Sequence, residues 1–227
     1  MTDEGQQAGA SAAGTPPVRK EVPPWRLMAT LGAAGMMAGL LIVFVYVATE
    51  PTITAYKAEV LRQSISEVLK GPARFDTLYV YEGALTKQLP AGLAFEDLEQ
   101  IYLGYAEDGQ QIGFAIASAE PGFQDLIRLI FGYDVRTETL LGMKVLESKE
   151  TPGLGDKIEK DMEFVGQFDG ASAPLVGVNS RRATGSANEI DMITGVTISS
   201  RAIVRIINNS LERLGPMIEA YNGGGSR

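Results

Sequence analysis

The chain contains neither cysteine nor histidine. Without thiols there are no disulfides, no thiolate metal sites and no iron–sulfur ligation, and without imidazole there is no His-ligated haem and no triad with histidine as base. Redox chemistry, if present, must be borrowed from an organic cofactor. Positive charge is also in short supply: 20 Lys and Arg face 28 Asp and Glu, a formal net charge of -8. That balance argues against a nucleic-acid partner, whose binding depends on a basic patch, and the solubility of an acidic surface accounts for it. The missing cysteines leave the compartment open, since they say only that no disulfide framework holds the fold. No internal repeat, no metal site and no catalytic residue is legible.

What is present begins with 227 residues at 45% apolar composition, enough for one main domain with its own core. Leu27 to Thr49 carries no charge, and at ~1.5 Å per residue such a run spans the ~30 Å hydrocarbon core. It lies too far along the chain and is too long for a cleaved signal peptide, so a retained transmembrane helix is expected. Gly32, Gly35 and Gly39 with the neighbouring alanines would let another helix approach closely. Arg19, Lys20 and Arg26 precede the span and Lys57 and Arg62 follow it. The small excess before it points to a cytoplasmic N-terminus and a C-terminal domain on the far side. Trp25 and Tyr46 suit the two interfaces.

The flanking composition divides the chain further. Residues 1–26 form a cytoplasmic tail, rich in Ala, Gly, Gln, Thr and Pro as far as about residue 24 and expected to be disordered. Val60, Leu61, Ile65, Val68 and Leu69 recur at helical spacing, so residues 50–72 predict a linker helix ended by Gly71-Pro72. Short β-type runs follow at Thr77 to Tyr81, Gln100 to Tyr105, Gln111 to Ala117, Leu126 to Tyr133 and Thr139 to Leu146. Asp108-Gly109 and the polar segment Asp134 to Glu138 supply turns between neighbouring runs. Asp156 to Phe164 predicts a helix, Leu175 to Val178 and Glu189 to Ile193 further strands, and Arg201 to Leu214 a closing amphipathic helix. The expected fold is α+β, an antiparallel sheet with flanking helices over residues 73–215, and 216–227 a flexible tail.

The densest chemistry lies in Asp191-Met192-Ile193-Thr194-Gly195-Val196-Thr197-Ile198-Ser199-Ser200, directly before the closing helix. Hydroxyls and a glycine turn at a helix N-terminus, where backbone N–H groups are free and the macrodipole is positive, make a seat for a phosphate. Gly195 lets the chain turn without a Cβ clash, and Thr194, Ser199 and Ser200 can donate to phosphate oxygens or cap the helix. On spacing alone, a simple N-cap explains the same residues.

Asp-x-x-Thr-Gly-Val-Thr resembles the flavinylation motif of the FMN-binding domain family, with Val196 where that family usually has alanine. A second segment, Glu150-Thr151-Pro152-Gly153-Leu154-Gly155, resembles the family's Glu-Thr-Pro-Gly-Leu-Gly stretch, and Gly122-Phe123 matches part of its glycine-rich loop. With the anchor and overall size, the chain most resembles the G-subunit family of Rnf-type ion-translocating electron-transport complexes. The resemblance implies FMN held covalently by a phosphoester to Thr197, installed by a separate flavin transferase. It implies a cofactor-binding set of Thr197, Thr194, Gly195, Val196, Ser199, Ser200, Glu150, Thr151, Gly153 and Leu154. It also implies a single-pass electron-carrier component in the bacterial inner membrane, with its flavin domain on the periplasmic side, with the other members of the complex as partners and no independent catalysis. Three alternatives stay open at this point. They are a component like the C subunit of a Na+-translocating NADH:quinone reductase, a membrane-anchored phosphate-ligand binding or sensory module without covalent flavin, and an unmodified assembly protein.

Overall fold

The computed structural model describes residues 23–224; most of the expected N-terminal tail and the last three residues lie outside them. Contacts divide the chain into two units, Met1–Thr54 and Ala55–Arg227. The described part of the first belongs to helix α1, Pro24–Val68. Its most apolar 18-residue window has a mean hydropathy of 2.2 and is nowhere buried, so by length and composition the helix can cross a membrane. The Thr30 and Thr49 hydroxyls donate one turn back, to the Arg26 and Val45 carbonyls at 2.9 and 2.8 Å, which satisfies them without solvent. A separate anchor and linker helix were expected; one helix runs through both, with Pro51 inside it. Pro51 removes a single backbone bond, a local loss that the apolar spacing beyond it outweighs.

The second unit begins within α1, whose last turns bury Ser64, Ile65 and Val68. The Gly71 N–H donates to the Ser66 carbonyl at 2.7 Å, with Lys70 and Gly71 both in the left-handed region, a helix-ending arrangement. A six-stranded antiparallel sheet follows. Its strands are β1 (Arg74–Tyr81), β2 (Ala84–Thr86), β3 (Gln100–Tyr105), β4 (Gln111–Pro121), β5 (Leu126–Asp134) and β6 (Thr139–Glu147), in the spatial order β2-β1-β3-β4-β5-β6. The Asp108-Gly109 turn joins β3 to β4 as expected, with Asp108 accepting from the Gln110 N–H at 2.9 Å. Strand β2 was not expected; its hairpin turns on Glu82 and Gly83, both at positive φ, the pattern of a two-residue hairpin loop.

Side chains alternate across this sheet. Ile101, Leu103, Phe114, Ile116, Leu129 and Phe131 join one core cluster, and Tyr102, Ala115 and Ile130 join another with Ile65, Val68 and Leu69 of α1 and the turn after it. Gly132 is required beneath that helix end, because a Cβ there would run into the Val68 carbonyl oxygen. The larger cluster is closed by helix α4, Thr197–Gly224, through Ile203, Ile206, Ile207, Leu214 and Ile218. The expected end at Leu214 and the expected tail from 216 give way to a helix that passes Pro216, since Ile218 is fully buried and Met217 and Tyr221 pack on the core.

Between sheet and α4 the chain forms α2 (Lys157–Lys160), α3 (Met162–Gly166), and two short parallel strands, β7 (Val176–Val178) and β8 (Glu189–Asp191). The single helix expected over Asp156 to Phe164 is broken because Asp161 turns extended and its side chain accepts from the Glu163 and Phe164 N–H groups, capping a new start.

Candidate functional site

Three separated segments meet where β4, β6 and β8 run out. The first is the β4–β5 turn, in which the Gly122 N–H donates to the Asp125 carbonyl at 2.8 Å. The second follows β6: the Thr151 carbonyl accepts from the Leu154 and Gly155 N–H groups at 3.1 and 2.8 Å, and Gly153 has φ +78°. The third is the turn Ile193 to Val196, closed by the Val196 N–H on the Ile193 carbonyl at 3.0 Å, with Gly195 at φ +84°, together with the first turn of α4 that it leads into. Positive φ at the third position of such a turn is what glycine supplies.

The segments touch at defined points. Glu150 is buried, and its Oε1 accepts from the Phe123 and Gln124 N–H groups at 2.8 and 3.1 Å. Its Oε2 accepts from the Ser199 hydroxyl at 3.0 Å. The Thr151 hydroxyl donates to Gln124 Oε1 at 3.0 Å. Leu154 Cδ1 lies 4.0 Å from where a Cβ on residue 195 would stand. The sequence-predicted residues are therefore brought together, although in unequal roles.

Thr197 is the first residue of α4 and partly exposed. Among the described residues its hydroxyl has no hydrogen-bond partner, and neither have the N–H groups of Thr197, Ile198 and Ser199. Thr194 and Gly195 are exposed beside it, and Val196 points into the core at 4% exposure. Ser199 and Ser200 do not face outward as expected. The Ser200 hydroxyl is buried and donates to the Val196 carbonyl at 2.9 Å, while Ser199 is committed to Glu150. Glu150 likewise turns inward. The physical reason is helical periodicity: the start of α4 must bury whichever side faces the sheet, and Ser199, Ser200 and Ile203 all lie on it.

Each segment carries an exposed apolar side chain: Phe123 at 64%, Leu154 at 50% and Ile198 at 56% exposure. Ion pairs flank them, Lys149 with Asp125 at 3.0 Å and Lys160 with Asp156 at 2.6 Å. The Leu126 N–H, and after it Lys149, hold the Asp125 carboxyl below the usual carboxylate range; Lys160 does the same for Asp156. Arg201 was missed from the sequence. It is exposed, stands one helical turn beyond Thr197, and makes no ion pair among the described residues; its i+4 spacing from Thr197 was the available signal. Asp191 Oδ1 is buried with no hydrogen-bond partner. Among the described residues no cluster has the ligands for a metal ion.

The arrangement fits a phosphate-bearing aromatic ligand: free helix-start N–H groups and a free hydroxyl, glycine turns that admit close approach, and apolar side chains around them. Residues 122–212, which include all three segments, match the FMN-binding domain family. The fold is similar to that of NqrC from Shewanella oneidensis, with a TM-score of 0.60 at 14% identity, covering 74% of this chain and 99% of that one. The G subunit of the ion-translocating oxidoreductase complex of Methanosarcina acetivorans is 25% identical over 191 residues, 82% of this chain and 92% of the relative. The corresponding protein of Vibrio vulnificus is 31% identical over 173 residues, 72% of this chain and 76% of the relative. The chain belongs to the G-subunit family of ion-translocating oxidoreductase complexes.

Proposed function

We propose that this membrane-anchored, FMN-binding electron carrier holds its flavin covalently, through a phosphoester between the FMN phosphate and the Thr197 hydroxyl. The observation that carries the reading is the state of Thr197: a partly exposed hydroxyl at the start of a long helix, unengaged among the described residues and beside three N–H groups equally without partners there. A phosphate attached there is met by those donors and by the positive end of the helix, with the Arg201 guanidinium one turn away. Phe123, Leu154 and Ile198 offer apolar surface to the ring system, and Thr151, Gly153, Thr194 and Gly195 form the exposed rim. FMN, when bound, supplies reversible one- and two-electron redox chemistry.

An unassisted alcohol is a poor nucleophile near neutral pH, so a flavin transferase installs the group during maturation: the Thr197 oxygen gives up its proton and takes the phosphorus from a leaving group that the flavin donor carries there. The other members of the complex provide the electron donor and acceptor. In this reading residues 27–49 sit in the bacterial inner membrane, the N-terminus is cytoplasmic, and the flavin domain lies outside.

Intact-mass and peptide mass spectrometry of the full chain from cells containing the transferase tests the linkage. The expected result is an increment of FMN less water on the peptide containing Thr197. Thr197→Ala should lose the increment and, because the hydroxyl bonds to nothing in the fold, change stability by no more than about 0.5 kcal/mol. Yellow colour lost on denaturation, or a label on Thr194, would overturn the assignment.

A further inference from the structure

Glu150 is the one buried acidic residue, among those described, that joins all three segments of the site. It is 6% exposed, and no lysine or arginine among the described residues pairs with it; neighbouring Lys149 is engaged by Asp125. Its charge is met instead by the Phe123 N–H, the Gln124 N–H and the Ser199 hydroxyl, donors that a carboxylate holds more firmly than a neutral acceptor would. The packing is built around it. A Cβ on Gly122 would collide with Glu150 Oε1, and one on Gly155 would stand 2.7 Å from Glu150 Cβ and 3.0 Å from Oε2. Neither glycine has positive φ; Glu150 fills the space at both, joined by Ile127 beside Gly122 and by the Thr151 backbone beside Gly155.

The helix supplies a second reason for the charge. The first turn of α4 contains no acidic residue of its own, although that end of a helix favours negative charge. Glu150 provides it from 49 positions away, through Ser199. Two residues before that contact lies Thr197.

We infer that Glu150 is the positioning residue of the flavin site: its carboxylate latches the Phe123 loop and the Thr151–Gly155 loop to the first turn of α4, and so fixes where Thr197 stands relative to both. It does not touch the cofactor itself. The inference rests on Thr197 as the flavin carrier for its functional consequence, but the latch is a property of the protein alone. Without it Phe123, Leu154 and Ile198 no longer keep a common arrangement around Thr197.

The test uses the full chain in detergent, prepared with and without co-expressed flavin transferase, as wild type, Glu150→Ala, Glu150→Gln and Ser199→Ala. In flavin-free protein, amide hydrogen exchange is measured over 122–124, 150–155 and 200–203, the last being the first hydrogen-bonded amides of α4. Glu150→Ala should accelerate exchange in all three segments together by at least about tenfold, as loss of several charge-assisted bonds requires, while β3 and β4 keep their protection. In Glu150→Gln the amide oxygen still accepts from Phe123 and Gln124 and the NH2 group donates to the Ser199 oxygen, so protection and flavin incorporation should return in large part, short of wild type by what the charge adds. In transferase-treated Glu150→Ala, incorporation should fall several-fold and the fluorescence anisotropy of any attached flavin should drop. Ser199→Ala, which cuts only the link to α4, should loosen 200–203 and spare 122–124, and it decides the matter if Glu150→Ala does not fold. Unchanged exchange at 200–203 in Ser199→Ala, or loosening of 150–155 alone in Glu150→Ala, overturns the latch, as does a Glu150→Gln variant as defective as alanine. A wild-type Thr197 peptide without the FMN increment would instead sink the flavin assignment and leave the exchange result standing by itself.

Discussion

Adding one methyl group at residue 155 probes the packing around Glu150 without removing any polar group. Gly155 is buried with an ordinary φ, and its missing Cβ would meet Glu150 Cβ at 2.7 Å, Glu150 Oε2 at 3.0 Å and the Thr151 nitrogen at 3.1 Å. Two of those atoms belong to backbone or to the first carbon of a side chain, so neither can swing aside. The loop must shift, and overpacking of this kind costs about 1–3 kcal/mol. Alanine recovers roughly 0.4–1 kcal/mol by restricting the unfolded chain. The midpoints of the two ranges leave Gly155→Ala a net loss of about 1.3 kcal/mol, a fall in Tm of roughly 3–5 °C for a domain this size. Thermal melting of the full chain in detergent reads it, with Gly166→Ala as control. Gly166 has ordinary φ and nothing within 4 Å of its Cβ position, and should melt at or slightly above wild type. The shift at 155 should also push Glu150 off its three donors, so flavin incorporation should decline in parallel. A Gly155→Ala protein that melts with wild type and takes up flavin normally would refute the close packing argued for this loop.

Topology and acid sensitivity give two more expectations. Protease added to intact spheroplasts should remove the Thr197 peptide while sparing residues 1–26; protection of that peptide until lysis would reverse the orientation. Asp76 is held below the usual carboxylate range by its hydrogen bond from Lys87, and Asp125 by the Leu126 N–H and then Lys149. Folded-state values below the unfolded ones mean that these groups stabilise fully above about pH 4 and cease to do so as pH falls through their lowered values. Melting temperature should therefore stay level from pH 7 to about 5 and decline steadily below 4, less steeply in Lys87→Met; an equal slope in that variant would discount the Asp76 pair.

The long antiparallel strands were legible because they alternate over many residues: β5 runs Leu126–Asp134 with Ile127, Leu129 and Phe131 on one side and Ile130 on the other. Where the sequence misled, tertiary contacts overrode a local signal. Pro51 and Pro216 are ordinarily helix breakers, yet both lie inside helices, and the second is carried by buried Ile218. Asp161 reads as any helical acid until its side chain caps a new turn. The three-residue β2 offers too few positions for periodicity to register. In the site, the grouping of the motifs was visible but its wiring was not. A buried carboxylate and a solvent-facing one look alike in sequence, and Glu150 and Ser199 lie too far apart for spacing to relate them. The same limit explains why Ser199 and Ser200 were expected to face a phosphate.

The burial of Ile65, Val68 and Leu69 against Tyr102, Ala115 and Ile130 bears on how a soluble version of the domain can be cut. A truncation begun after the Gly71-Pro72 turn, where composition suggests a boundary, would strip one face of the sheet and leave an oily patch that invites aggregation. The cut belongs upstream of Leu61, with part of the helix retained as the lid of that face. The segment nearest the anchor is thus simultaneously stalk and keystone, and shortening it trades membrane release against the integrity of the sheet.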